Sequence, residues 1–410
     1  MDCSASTFGL PLVSIVITSY NYAQFLDDAV NSALTQSYSR IECLIVDDAS
    51  TDNTPAVLEH VRQRAPDVKI LRHAVNRGQL AAFETGYAAS SGEYVVFLDA
   101  DDMLLPSFVE SHVFVHLSSR APVGFTSSDM LQTRGARVVT SSWGPLSRYV
   151  ASGRGSRENL LRPIDQAAPD LWSGVSACLR DIGSRVHLVE PTPEWGLWTF
   201  APTSGNCFRR DALDLMLRDA DFSETRCYGD TYLNRGISML CGAILIDVPL
   251  TIYRLHERNG FANQPELLGI YGYDLGQATR GDHRAWLSIV DRFAANGGRL
   301  IERIGVERYG LLLAGLQRAS GPIAADAEVG GLTRYIEDKL REREPSLRAQ
   351  IGSSEFDLLI ARIARARRRS GGRRRWPRPG LKQMAEFLMT AGRALGAKPV
   401  SSAGEWLWRL

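Results

Sequence analysis

The chain is 410 residues long, with 44% apolar residues, 23% charged residues and a formal net charge of +1. These values leave room for two or three domains with a full core and exclude wholesale disorder. No run reaches the roughly 18–20 apolar residues that span a bilayer, and the Met1-Asp2-Cys3 start lacks the basic segment and cleavage site of a signal peptide. Six cysteines without CxxC or CxxH spacing predict reduced thiols, not a zinc site or a disulfide framework.

Along the first 130 residues strands and helices alternate. Leu12–Thr18 (LVSIVIT) is a continuous β-branched run that suits a central parallel strand, and Phe25, Ala29, Ala33 and Leu34 then recur at helical spacing. ECLIVDD predicts a second strand, with Ser50, Thr51 or Asp52 capping a helix that runs to about Arg64. VKILRH is a third strand, GQLAAFETGYAA a third helix and EYVVFLD a fourth strand. This rhythm implies right-handed βαβ units in a doubly wound sheet, whose ligands lie beyond the carboxyl ends of the strands. Asp47-Asp48 and Asp99-Ala100-Asp101-Asp102 both fall on that edge. Between 132 and 198 the periodicity loosens, which predicts an irregular acceptor-side insertion. TSGNCFRRDALDLML and CYGDTYLNRGISML restore order, the latter a helix with Tyr232, Leu233, Ile237 and Leu240 as its apolar stripe. AILIDVPLTIYRLH predicts strand, proline break and strand. Helices are expected near 265–278, 283–295, 298–318, 330–343 and 353–368, with Trp286 and Tyr309 as core. Nine arginines and no acidic residue from Arg362 to Arg378 predict a flexible basic linker before a short helix at about 381–395.

The chemistry concentrates at the strand ends. In a chain still extended beyond its strand, Asp99 and Asp101 face the same way. Two such carboxylates repel unless a hard cation such as Mg²⁺ or Mn²⁺ lies between them and completes its shell with waters and phosphates. The alternative is a solvated acidic turn capping the next helix, a role that suits Asp102. TSYNYAQFL is either a nucleoside-contacting loop with Tyr20 facing a base, or a turn capped by Ser19 or Asn21. VDDASTDNT offers Asp48 to a pyrimidine N–H or a ribose hydroxyl, or else serves only to cap a helix. The absence of GxGxxG and GxxxxGK[ST] argues against a dinucleotide fold or a P-loop.

VSIVITSYNYAQFLDDAVNSALTQSY, ECLIVDDASTDNT, NRGQLAAFETGYAASSGEYVVFLDADD and YRLH together resemble family 2 glycosyltransferases of GT-A fold, over roughly Leu12 to Asn259. The resemblance implies an α/β, Rossmann-like, mostly parallel sheet with flanking helices. It also implies an inverting transfer of sugar from a nucleotide donor to an acceptor hydroxyl. In that family Thr18, Tyr20 and Asp48 would bind the nucleoside. Asp99 and Asp101 would form the DxD motif for Mg²⁺ or Mn²⁺, with Asp101 the closest contact and His256 completing the metal or diphosphate site. Asp230 would be the general base, at the place where the family often carries Glu-Asp. Gly229 stands for that glutamate, so an N-cap role competes, and Glu224 is the fallback base. Arg77 either contacts the pyrophosphate or lies in an exposed turn. Glu84 replaces a common Asn within an alanine-rich helix, and Arg209 and Arg210 either steer a diphosphate or start a helix in solvent.

The expected organisation is a GT-A domain over 1–262, a helical C-terminal region over 263–365, and a basic linker with a short helix over 366–410. The expected partners are a nucleotide-sugar donor, UDP-sugar first, and a glycan, lipid-linked or small-molecule acceptor, in bacterial surface-polysaccharide or glycan biosynthesis. A cytoplasmic location is expected, with the arginine-rich tail touching the inner face of a membrane through anionic headgroups. Nucleic acid is not an expected partner, and a nucleotidyltransferase is disfavoured because no basic Gly-rich loop follows the first strand. The competing class is a non-catalytic nucleotide-sugar-binding or scaffold protein that kept the fold and lost the base.

Overall fold

The computed structural model describes residues 9–155, 158–163, 179, 181–191, 198–223, 225–226, 228–259, 275–319 and 332–370. The amino-terminal half alternates β1 (Val13–Ser19), α1 (Ala23–Leu34), β2 (Ile41–Asp47), α2 (Thr54–Arg64), β3 (Lys69–Arg72), α3 (Gln79–Ala89) and β4 (Tyr94–Asp99). A two-residue β5 (Met103–Leu104) and α4 (Phe108–Ser118) follow, then β6 (Phe125–Arg134), β7 (Arg137–Thr140), α5 (Gly144–Ala151) and β8 (Val186–Val189). Next come β9 (Asn206–Arg209), α6 (Arg210–Leu217), α7 (Gly229–Cys241) and β10 (Ala243–Arg254). Five helices succeed them: α8 (Leu275–Ala295), α9 (Gly297–Ala319), α10 (Leu332–Glu342), α11 (Glu344–Ile351) and α12 (Ser353–Ser370).

The strands form one sheet in the order β3-β2-β1-β4-β9-β6-β10-β5, with β7 on β6 and β8 on β10. Its long ladders are parallel, β1 with β2 and β4, β2 with β3, and β10 with β6. Antiparallel β9 links β4 to β6. Alternation explains the two-sided core. In β1, Val16 joins one cluster while Ile15 and Ile17 join the other; in β4, Val95 and Phe97 face one way and Val96 and Leu98 the other. The chain order reverses between β1 and β4, the position at which an open α/β sheet leaves a crevice at its carboxyl edge.

One expected break is absent. The proline of AILIDVPLTIYR does not split the strand: β10 runs through Pro249, and register shifts on either side of it absorb the missing N–H. The stretch 132–198 contains the ordered elements β7, α5 and β8 within its described parts. Met1–Ala364 forms one compact unit and Arg365–Leu410 another. Trp286, Ile289 and Phe293 of α8 share a core with Phe208 and Leu213. Arg292 and Asn296 also donate to the Leu215 carbonyl, at 2.6 and 2.7 Å, which satisfies the end of α6. The expected short helix at 381–395 lies outside the described residues.

His112 on α4 is fully buried against Phe108 and Thr126, with its Nδ1 2.6 Å from the Thr126 hydroxyl. Burial holds this imidazole well below its ordinary range, so it is neutral in the fold. An unfolded chain protonates it near 6.5. The unfolded state therefore binds more protons below that pH, and folding stability is present above it and lost as pH falls. The difference in urea-unfolding stability between wild type and His112→Gln is expected to fall by about 1.4 kcal/mol per pH unit below roughly pH 6.5. A difference that does not change with pH would contradict the burial argument.

Candidate active site

The carboxyl ends of β1, β2 and β4 meet in register, with Thr18 opposite Asp99 and Ser19 opposite Asp47. Beyond them lies a cleft of about 410 Å³ lined by Thr18, Tyr20, Asp48, Gln79, Asp99, Asp101, Asp102, Thr203, Asp230 and Tyr253, among others. Sequence positions as distant as 18 and 253 thus share one wall.

The two loops that open the cleft are tied together. Asn21 takes a left-handed conformation (φ 60°), and its Oδ1 accepts from the Thr51 N–H at 2.7 Å. Asp52 accepts from Ala23 N–H at the start of α1, and from Thr54 N–H and hydroxyl at the start of α2. Of the three candidate caps, Asp52 therefore does that work, and it does so for both helices. Tyr20 is 44% exposed at the cleft mouth, whereas Thr18 is buried, its hydroxyl 3.5 Å from Asp99 Oδ1. Asp48 is buried and heavily engaged. Its Oδ1 accepts from His73 Nδ1 at 2.6 Å and Arg77 N–H at 2.7 Å, and its Oδ2 from Gly78 N–H at 2.7 Å. The Asp48 carboxylate, an acceptor only, makes Nδ1 the protonated nitrogen, and the Thr85 hydroxyl, 2.9 Å from His73 Nε2, completes the chain.

The acidic group does not continue the strand. Asp102 N–H donates to the Asp99 carbonyl at 2.9 Å, so the backbone turns at Ala100, and this turn, not strand alternation, aims the carboxylates. Asp99 Oδ1 accepts from Gln79 Nε2 at 3.0 Å. Asp101 Oδ2 lies 3.1 Å from His256 Nε2. Arg258 N–H donates to His256 Nδ1 at 3.1 Å, which leaves Nε2 the proton donor toward Asp101. Asp102 is buried and accepts from the Ser204 hydroxyl at 2.6 Å and Arg254 N–H at 3.3 Å. It bolts the rim to β10 and caps no helix. Desolvation in the cleft, with the Asp101 charge beside it, pushes Asp99 up to about 7. Burial, then the charges of Asp101 and Asp99, push Asp102 well above the usual carboxylate range.

Asp230 lies in the first turn of α7 and lines the same cleft. Its Oδ1 also accepts from Thr231 N–H at 2.7 Å, so the side chain faces the cleft and serves the helix start at once. Gly229 before it has a packing reason. A Cβ there would collide with the ring of Phe83, which stacks on Phe97 at 4.3 Å between centroids. The glutamate expected from the resemblance has no room beside that phenylalanine. Glu224 lies outside the described residues.

Three charged candidates lie elsewhere. The Arg77 guanidinium is 3.7 Å from Glu84, and both line a neighbouring hollow, not the main cleft. Arg209 and Arg210 do not approach a diphosphate. Strand β9 runs antiparallel to β4 and pairs Arg209 with Tyr94, so its end points to the opposite edge of the sheet. There Arg209 pairs with Asp211, and Arg210 donates to the Gly92 carbonyl. They border a hollow of about 900 Å³, larger than the cleft but with neither the acidic rim nor Asp230 in its lining. Sequence reasoning missed Gln79, Thr203, Arg226 and His73. The Asn-Arg-Gly turn was the available signal, because a glycine there (φ 91°) allows the close approach of Arg226 on which that wall is built.

A crevice at a sheet switch point, walled by carboxylates on β4 and α7, is the position at which an open α/β domain takes its ligand. Residues 14–126 match the family model described as glycosyl transferase family 2, and the chain carries a domain of that family. An uncharacterized glycosyltransferase of Nostoc sp. is 32% identical over 257 residues, which cover 60% of this chain and 66% of that one. Glycosyltransferase GlyG of Streptococcus pneumoniae is 31% identical over 100 residues, 24% of this chain and 33% of that one. An uncharacterized glycosyltransferase of Haemophilus influenzae is 34% identical over 103 residues, 25% of this chain and 32% of that one. The chain thus spans 66% of the Nostoc relative's length and about a third of the other two. Among solved structures, a mannosyltransferase of Pyrobaculum calidifontis in complex with GDP-Man and Mn²⁺ is similar at 18% identity and TM-score 0.39, covering 88% of this chain and 87% of that one. TarS of S. aureus is similar at 15% identity and TM-score 0.39, covering 88% and 92%.

Proposed function

We propose that the chain transfers a sugar, with inversion, from a nucleotide-sugar donor to an acceptor hydroxyl in the building of a bacterial surface polysaccharide or other glycan. The observation that carries this is the shared cleft: Asp230 on α7 lines the same space as Asp99 and Asp101 at the end of β4. A transferase needs a carboxylate at that wall to receive the acceptor proton, and Asp230 meets that need while also serving the helix start.

The nucleoside side is formed by Thr18, Tyr20 and Asp48. Asp48 Oδ2, which receives Gly78 N–H, has a second lone pair for a pyrimidine N–H or a ribose hydroxyl, and a UDP-sugar is the first donor to test. Among the described residues, no three His, Cys, Asp or Glu side chains converge as a closed metal cage. The donor set that is present fits an open site. Asp101 and His256 face each other across 3.1 Å, and Asp99 and Asp102, raised first by burial and then by neighbouring carboxylate charge, favour a positive charge beside them. Asp101, with Asp99 beside it, would hold Mg²⁺ or Mn²⁺, ions that keep waters and phosphate oxygens in their shell, and His256 would join through Nε2 once its proton moves to Nδ1 and the Arg258 N–H contact is given up. Such an ion, when bound, supplies neutralisation of the charge gathering on the departing nucleoside diphosphate. Asp230 takes the proton of the attacking hydroxyl on the opposite face of the sugar.

A thermal-shift panel of nucleotide sugars with Mn²⁺ tests donor binding, since a ligand of the folded state raises Tm with its concentration over Kd. A UDP-sugar is expected to raise Tm by a few degrees, and a panel in which no nucleotide moves it would count against the proposal.

Among the described residues no helix is long and apolar enough to cross a membrane. The nine arginines from Arg362 to Arg378 support a peripheral contact with anionic headgroups at the cytoplasmic face, beside a glycan, lipid-linked or small-molecule acceptor. Removing the residues after Arg365 is expected to lower cosedimentation with phosphatidylserine vesicles about tenfold in low salt. Unchanged sedimentation would leave the tract a linker.

A further inference from the structure

We propose that Gln79 is a positioning residue that fixes the first turn of α7, and with it Asp230, against the acidic rim at Asp99. The inference rests on the transferase function proposed above. Its starting point is a gap in the fold, because α7 and the end of β4 share no strand pairing and face each other across the cleft.

The Gln79 side chain closes that gap with both ends of its amide. Nε2 donates to Asp99 Oδ1 at 3.0 Å, and Oε1 accepts from Gly229 N–H at 3.2 Å. An amide supplies a donor and an acceptor together; a carboxylate of the same length lacks the donor, and a thioether lacks the donor and accepts only weakly. The Gly229 N–H is among the amides that a helix start leaves without an internal partner, and Tyr228 provides no side-chain cap. Gln79 fills that role from outside the helix. Its own N–H donates to the Arg226 carbonyl at 2.7 Å, and Arg226 Nη2 donates to the Asn76 carbonyl at 2.7 Å. The turn from Asn76 to Gln79 and the segment leading into α7 therefore clasp each other.

The same turn reaches the nucleoside side, where Asp48 holds Arg77 N–H and Gly78 N–H. Phe83 meanwhile seats Gly229 so closely that no Cβ fits. Packing brings α7 to the wall, and the Gln79 hydrogen bonds set where along the wall its first turn lies. For proton transfer that placement is decisive, since a displacement of about 1 Å can cost about 10²-fold in rate.

The test compares the full-length wild type with Gln79→Met and Gln79→Glu. Hydrogen exchange of the ligand-free proteins, resolved at Gly229, is read beside initial-rate kinetics. Gln79→Met should speed Gly229 exchange about fivefold, with the rest of the chain unchanged. It should lower kcat about 10–100-fold while donor KM stays within about threefold of wild type. Gln79→Glu keeps an acceptor for Gly229 but sets a carboxylate against Asp99, so its exchange there should lie between wild type and Gln79→Met. Equal exchange in wild type and Gln79→Met overturns the proposal. So does exchange in Gln79→Glu faster than in Gln79→Met, or a joint fall of kcat and KM with exchange rising throughout the chain. If Gln79→Met does not fold, the role is structural and the proposal also falls. A wild type that transfers no sugar refutes the transferase function alone, because the exchange comparison still decides whether Gln79 holds α7.

Discussion

Asp230→Asn is expected to lower kcat by about 10²–10⁴-fold, the usual worth of a positioned base, while donor KM stays within about threefold. Asparagine keeps the shape of the side chain and an Oδ1 for the Thr231 N–H, so the start of α7 is preserved. It removes only the capacity to accept a proton. The packing around it should survive, since Gly229 on Phe83 and the Gln79 bond to the Gly229 amide do not involve the carboxylate. Donor affinity should survive as well, because the nucleoside is assigned to Thr18, Tyr20 and Asp48, which come from the β1 and β2 ends and not from α7. Initial rates at varied donor concentration check this directly, and unchanged turnover would remove Asp230 from the chemistry.

Asp101→Ala should have the second large effect, a loss of about 10²–10³-fold in transfer together with the Mn²⁺-dependent part of nucleotide affinity. Asp101 pairs with His256 and is the neighbour whose charge raises both Asp99 and Asp102. Its removal relieves repulsion in the ligand-free protein, so Tm should hold or rise even as binding is lost. Asp102 is the informative contrast. It is buried and accepts from Ser204 and Arg254, so its removal should unsettle the fold around β10. Calorimetric titration of UDP with and without Mn²⁺ separates the two cases. Full Mn²⁺-dependent binding by Asp101→Ala would remove this residue from the cation site.

The first half of the fold was legible because its signals are local. Runs such as LVSIVIT and EYVVFLD carry apolar residues toward both sides since both faces of β1 and β4 are buried, and Asp52 sits where a helix start needs an acceptor. The edge on which the carboxylates meet followed from the alternation of strands and helices. What escaped depends on contacts that no short window contains. Of the two roles open to Arg209, a diphosphate contact or a helix start, antiparallel β9 leaves the second by carrying it to the other edge. Pro249 looked like a break until shifts in register absorbed it. Asp99 and Asp101 reach one cleft through a turn, although alternation had suggested the same outcome. Gln79 gave no signal of its own, since its partners lie 20 and 150 residues away. The missing glutamate at 229 was legible as a departure but not as a consequence of Phe83.

The central claim is that one cleft holds both a cation-assisted leaving group and a base. Release of nucleoside diphosphate from a panel of nucleotide sugars, with wild type and Asp230→Asn in Mn²⁺ and an acceptor mixture, tests it most directly. At least one donor, a UDP-sugar first, should be consumed by the wild type, with release abolished by chelation and cut at least about 10²-fold in Asp230→Asn. Release from no donor, or equal release by the two proteins, would contradict it.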